Sequence, residues 1–225
     1  IRHFYDPTRN IGDRYLTDIT SAKIMGSLKK YVLTNPRIDG VEWALGKPGD
    51  ISEGVQVHKY TWEHGKLLMQ MALREPKKEK RNKYMAGAWR SLGETLHMIA
   101  DNGCPPHVRN DAHPSPFWNN NTWLGNPDPY EELMDVIKRD KPAEFAAYVK
   151  GTPDAALVTS FRSAKKVYDI ADALAVFTNA SMVTNETISG TDRSGTQRKP
   201  ITHPETPYTS PLLESMTYTE NDYSY

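Results

Sequence analysis

Leu92-Gly-Glu-Thr-Leu-His-Met-Ile-Ala-Asp-Asn-Gly-Cys-Pro-Pro-His-Val-Arg-Asn-Asp-Ala-His113 is the stretch whose reading decides the rest of the chain. His97 and Asp101 are four apart, so on a helix they sit one above the other on the same face. Pro105 and Pro106 stop that helix, and His107 can turn back toward the same point from the exit loop. Imidazoles and a carboxylate converging from a helix and its exit are the donors a zinc site uses. A single histidine on a helix is more often a buried, hydrogen-bonded core residue than a ligand. The clustering of His97, His107 and His113 with Asp101 and Asp111 favours metal over a helix end with polar decoration.

The helix carrying this cluster reads back to Lys77, which makes Lys77–Gly103 the longest in the chain. It opens with a charged turn of Lys77, Lys78, Glu79, Lys80 and Arg81. Met85, Trp89, Leu92, Leu96 and Ile99 form an apolar stripe, and Arg90, Glu94, His97 and Asp101 a polar one. Arg90 and Glu94 therefore either orient a ligand or pair on the surface. Upstream, Val57–Arg74 reads as a helix with Val57, Tyr60, Thr61, Leu67, Leu68 and Met71 on its stripe and Pro76 closing it. His64 lies on that stripe, as a core imidazole or as a further arm of the cluster. Leu16–Val32 reads as an amphipathic helix ended by Asn35-Pro36. Residues 36–54 read as loop, with Trp43 anchoring it to the core. His3-Phe-Tyr-Asp-Pro7 precedes all of this in a turn-rich setting.

Downstream, residues 107–127 read as loop. Its Trp118 and Trp123 either line a pocket or cover a core. Pro127-Asp-Pro-Tyr-Glu131 introduces a helix to about Arg139, with Asp128 as cap or metal donor and Glu131 in the first turn. Thr152-Pro153-Asp154 starts a long helix reaching about Met182. From Val183 the composition shifts to Thr, Ser, Pro, Tyr and Gly. The expected organisation is a helical domain over residues 1–182 and an irregular extension over 183–225. Internal repeats, phosphate-cradling glycine loops and strand–helix alternation are all lacking, so the expected class is all-α.

Bulk properties set outer limits. The chain has 225 residues, and 28 Lys and Arg balance 28 Asp and Glu. Zero net charge gives no global attraction to a polyanion such as nucleic acid. No apolar run approaches the ~20 residues that cross a bilayer. Cys104 is the lone cysteine, which rules out an internal disulfide and leaves a small buried hydrophobe or a metal ligand. A loaded motif only two residues from Ile1 suggests that the chain begins inside a longer precursor.

His3-Phe-Tyr-Asp-Pro, then Leu96-His-x3-Asp-x5-His107 with proline before the last histidine, then Tyr130-Glu131, resembles the bacterial zinc-dependent phospholipase C family, relatives of the zinc-dependent single-strand nucleases. The resemblance spans about residues 1–140, with weaker support to Met182. It implies a multi-helix bundle with long loops that holds up to three zinc ions. His3, His97 and Asp101 would serve one ion, with Asp101 bridging to a second, and His107 and Glu131 would serve a third. The family has a histidine four residues before that glutamate, where this chain has Pro127. His113, Asp111 or Asp128 would substitute, with His113 slightly preferred. Ligands that the family draws from upstream of the His-Phe-Tyr-Asp-Pro motif cannot be placed, so one zinc position would be incomplete.

The implied activity is hydrolysis of a phospholipid or related phosphodiester by a zinc-activated water, with Asp101 at the catalytic centre. The substrate would be met in transient contact with a membrane surface. The implied location is secreted or periplasmic. Two alternatives stay open: a nuclease of the same superfamily, and a non-catalytic binding or structural member with a degraded metal site.

Overall fold

The computed structural model describes residues 3–16, 38–46, 59–110, 129–151, 153–182, 189–191, 197–198 and 217–219. Among them the helices are α1 (Gly40–Leu45), α2 (Trp62–Arg74), α3 (Lys78–Asp101), α4 (Pro105–Val108), α5 (Pro129–Asp140), α6 (Pro142–Val149), α7 (Ala155–Ser163) and α8 (Val167–Ser181). The class is all-α, as expected. The extension read as irregular contributes three short strands, β1 (Ser189–Thr191), β2 (Gln197–Arg198) and β3 (Thr217–Thr219). β1 lies in the middle, antiparallel to β2 and parallel to β3. No helix among the described residues is long and apolar enough to cross a membrane. The expected helix over Leu16–Val32 lies almost entirely outside the described residues.

Three boundaries differ from the sequence expectation, each for a local reason. Gly40–Leu45 is helical within a segment read as loop. Six residues are too few to display a period, but the ends are well made: Asp39 accepts the Glu42 N–H at 2.7 Å, and Gly46 ends the helix at φ +69°. Val41 and Ala44 are its buried residues, whereas Trp43 is only half-buried. The second helix starts at Trp62, because Thr61 is extended and its hydroxyl accepts the His64 N–H at 3.2 Å. The long helix expected from Asp154 to Met182 is two helices. Ala164 and Lys166 are extended, and the Asp169 carboxylate accepts the N–H groups of Lys165 and Lys166, both at 3.0 Å, starting α8 afresh.

α3 has the expected length but a different buried face. Ala88, Ser91, Thr95 and Met98 point inward, while Trp89 and Leu96 are 60% and 55% exposed. Close approach to α2 is the cause. A Cβ on Gly65 would lie 2.5 Å from Ser91 Cβ, and one on Gly87 would lie 2.8 Å from a Leu68 methyl. Large side chains do not fit this crossing, so small residues occupy it and the bulky ones turn outward.

The apolar core lies where α1, α4, α8 and the N-terminal segment meet: Tyr5, Val41, Val108, Ala171 and Ala175, flanked by Leu45, Ile99 and Tyr168. Polar side chains stitch the end of α3 and α4 to α8 on buried carbonyls. Asn102 Nδ2 donates to Ala171 O at 2.9 Å, Asn179 Nδ2 to Val108 O at 2.6 Å, and Arg109 Nη1 to Asn179 O at 2.8 Å.

Two outcomes test this packing. Gly65→Ala should lower the unfolding free energy by about 1–3 kcal/mol through overpacking at the crossing. Adding Ser91→Gly should restore part of the loss, which denaturant titration of the single and double variants would reveal. Burial pushes the Asp39 carboxyl up from 3.8 to about 6; the Glu42 N–H pulls it down, and the Glu42 charge raises it again. A raised folded-state value means the native chain holds the proton more tightly than the unfolded chain. Asp39 therefore contributes stability below about pH 4 that is lost as pH rises through about 6. Asp39→Asn keeps the cap without the charge, so its unfolding midpoint should change less between pH 4 and 7. A variant with the wild-type slope would remove Asp39 as the cause.

Candidate metal centre

The site is assembled at the exit of α3. His97 and Asp101 fall in its last turn, four residues apart. Asn102 fixes the helix end through its side-chain bond to α8, and Cys104 N donates back to Asp101 O at 2.9 Å. The Pro-Pro pair does stop α3, but His107 is not in a loop. Pro105 and Pro106 open the one-turn helix α4, where fixed proline φ angles suit a first turn. His107 is buried within it at 6% exposure.

The N-terminal segment reaches this turn by main-chain bonds. Tyr5 N donates to His107 O at 2.9 Å, and Gly40 N donates to Phe4 O at 2.9 Å. His3, two residues before Tyr5, is thereby set beside Asp101. Phe4 packs edge-on against the His107 ring with centroids 5.3 Å apart.

Behind the motif, Tyr5 is held from every side. Its hydroxyl donates to Asp172 Oδ1 at 2.6 Å, lies 2.9 Å from the Tyr168 hydroxyl and receives a bond from Arg14. Arg14 also bonds Asp172 at 2.6 Å and lies over the Tyr5 ring. Burial, and then the bonds to Asp172 and Tyr168, push the Tyr5 phenol far above its ordinary range, so it remains a neutral donor. Asp6 closes the turn that follows, accepting from Thr8 N at 3.0 Å, Thr8 Oγ1 at 2.6 Å and Arg9 Nε at 2.9 Å.

Donor atoms of His3, Asp101 and His107 all lie within 4.8 Å of one another. His3 Nδ1 is 2.5 Å from Asp101 Oδ2, and His97 Nε2 is 3.4 Å from the same oxygen. The His3 ring centroid is 5.3 Å from that of His97 and 5.6 Å from that of His107. Bonds of about 2.0–2.1 Å put tetrahedral zinc ligands roughly 3.3 Å apart. Two imidazoles and a carboxylate at these separations fit zinc after a small rearrangement, in which the short His3–Asp101 contact opens. Three protein donors leave a position for solvent or substrate.

His3, His97, Asp101 and His107 lie together in the fold. His107 sits with His3 and Asp101, and His97 stands at the exposed edge. Glu131 falls in the first turn of α5, its side chain outside the described set; Asp111, His113 and Asp128 are likewise outside the described residues. Arg90 and Glu94 pair on the surface at 3.4 Å, with Arg90 over the Tyr60 ring. Cys104 is buried and in no disulfide, and His64 is half-buried in the first turn of α2.

Sequence reasoning did not find Tyr168 and Asp172, which are separated from Tyr5 by too much chain for any spacing rule, or Arg14, which lies nine residues on in a turn-rich segment with no period. Asn102 continues the buried series Ala88, Ser91, Thr95, Met98, a face that hydropathy does not mark as the inner one. No family model, no curated protein and no solved structure matches this chain.

Zinc affinity should fall by more than about 100-fold on replacing His3, Asp101 or His107 with Ala, and by at least about tenfold for His97→Ala at the edge. Competition against a chromophoric chelator measures this. Unchanged affinity in the His107 variant would mean that the trio is not the site.

Proposed function

We propose that this chain is a zinc-dependent phosphoric diester hydrolase of phospholipase C type, acting on a phospholipid or a related phosphodiester outside the cytoplasm. The observation that carries the reading is the meeting of His3 with Asp101 and His107, donors from two distant parts of the chain, within 4.8 Å. The family resemblance of the His-Phe-Tyr-Asp-Pro and His-x3-Asp-x5-His motifs supports the same chemistry.

Asp101 has the central part. One of its oxygens already meets two imidazoles, and its second oxygen can serve a neighbouring ion. His107, buried and fixed through its main chain, anchors the inner side. His97 is exposed and leaves the outer side open to a substrate. Zinc, when bound, supplies a water acidic enough to attack at neutral pH and positive charge for the phosphoryl oxygens. Hydrolysis of single-stranded nucleic acid but not of phosphatidylcholine would assign the site to a nuclease instead.

A second reading draws on the 2.5 Å His3–Asp101 contact. A charge-assisted bond of that length can staple the N-terminal segment to α3 without any metal, as a non-catalytic binding or structural member would need. Elemental analysis of protein purified without chelator separates the two. The hydrolase reading requires at least about one zinc per chain, the minimum for an ion-activated water; a smaller content leaves only the staple. Asp101→Asn should abolish phosphodiester hydrolysis while the chain stays folded, and retained turnover would refute the role given to Asp101.

A further inference from the structure

α3 is built inside out along most of its length. Its buried face carries Ala88, Ser91, Thr95, Met98 and then Asn102, mostly small or polar. Its opposite face carries Ala86, Trp89, Gly93, Leu96 and Ala100 at steps of three and four, all exposed. Space beyond Gly93 is open, with no atom within 4 Å of where a Cβ would stand. The tight α2–α3 crossing explains the small inner residues. It does not explain why the outer residues are apolar, since lysine or glutamate would suit a solvated face better.

The start of the same helix breaks a second local rule. Lys77, Lys78, Lys80, Arg81 and Lys83 stand against Glu79 alone. The N-cap residue, Lys77, makes no side-chain cap. Cations here oppose the positive end of the helix dipole. Glu79 is engaged by Lys83 at 3.1 Å, and the Glu75 carboxylate accepts the Lys77 N–H at 2.9 Å. Lys78 and Lys80 have no ion-pair partner among the described residues. Leu73, in the last turn of α2, is 74% exposed. In a chain of zero net charge this is a concentrated run of cations, and Lys78 stands on the same side of the helix as Leu96, five turns away. Departures from local preference without an internal compensation mark a surface built for something outside the chain.

We propose that the outer face of α3 and its basic first turn dock on an anionic phospholipid bilayer. The charge complementarity fits lipid phosphates, and Trp89 and Leu96 fit the boundary between headgroups and acyl chains, where an interfacial helix buries its apolar side. A nucleic acid would be met by the cations but leaves the leucines without a role. The apolar face ends beside His97 and Asp101, so a helix lying along the bilayer brings headgroups to the metal centre. Only that consequence rests on the hydrolase reading; the docking is measured without turnover.

The test is co-sedimentation of the full chain with phosphatidylcholine vesicles, with and without roughly one-third phosphatidylserine, at several salt concentrations. Acidic vesicles should bind at least tenfold better than neutral ones, and salt should weaken the binding. A lysine near such a surface is worth about fivefold in partitioning, so Lys78→Gln should lose about fivefold on acidic vesicles. Trp89→Ser with Leu96→Ser should lose at least fivefold at every salt concentration. All three positions are exposed, and equal unfolding midpoints would establish that the variants are folded.

Equal binding to neutral and acidic vesicles, or wild-type binding by either variant, overturns the proposal. So does binding of a single-stranded oligonucleotide through Lys78 with no vesicle binding. Wild-type protein that hydrolyses a water-soluble phosphodiester but ignores vesicles overturns the docking alone. Protein that docks but carries no zinc overturns the hydrolase reading alone.

Discussion

The main-chain bond from Tyr5 N to His107 O is the contact on which the rest of the site depends. It joins segments about a hundred residues apart in sequence and fixes both imidazole-bearing stretches at once. The position of His3 follows from the same register: shifting the N-terminal segment by one residue would turn His3 away from Asp101. A buried N–H and C=O must be paired or carry a desolvation cost of about 1–3 kcal/mol, so this register is held strongly. Gly40 N on Phe4 O secures the segment from its other edge. Tyr5, locked by Asp172, Tyr168 and Arg14, prevents it from sliding. The ligands can therefore meet although they come from separate parts of the chain.

The second constraint is the narrow crossing of α2 and α3. Gly65 against Ser91 brings the backbones together, which makes this pair a rigid beam rather than two helices resting on a fluid layer of leucines. A beam of this kind carries His97 and Asp101 at its end with little freedom to bend. Its last turn is tied down again where Asn102 reaches the Ala171 carbonyl on α8. The helix thus delivers its two site residues to a place determined at both ends, one by α2 and one by α8.

Much of this was legible in the sequence because it is local. The i, i+4 spacing of His97 and Asp101, the Pro-Pro stop, the length of α3 and the all-α class follow from short-range rules. The orientation of α3 was not legible. Hydropathy predicts that Trp89 and Leu96 face inward; the crossing distance overrides hydropathy, and crossing distance is a property of two helices. The meeting of His107 with His3 depends on a non-local main-chain bond. Gly40–Leu45 was hidden because six residues cannot show a period, although Asp39 and Gly46 are recognisable caps in hindsight.

Exposure across the site gives it a direction. His107 is buried, Asp101 is partly shielded with 17% of its side chain exposed, and His97 is 60% exposed. The gradient runs from the core at Val108 and Tyr5 outward to the last turn of α3. An electrostatic interaction is stronger on the inner side, where little water screens it, and weaker on the outer side. A cation drawn to Asp101 would be held from within by His107, and the open side of the site is edged by His3 and His97, whose side chains are 44% and 60% exposed. The face past His97 is also the end of the outward apolar face of α3. One structural fact, the exchange of large and small residues across that helix, thus shapes both the rigidity behind the donors and the character of the surface in front of them.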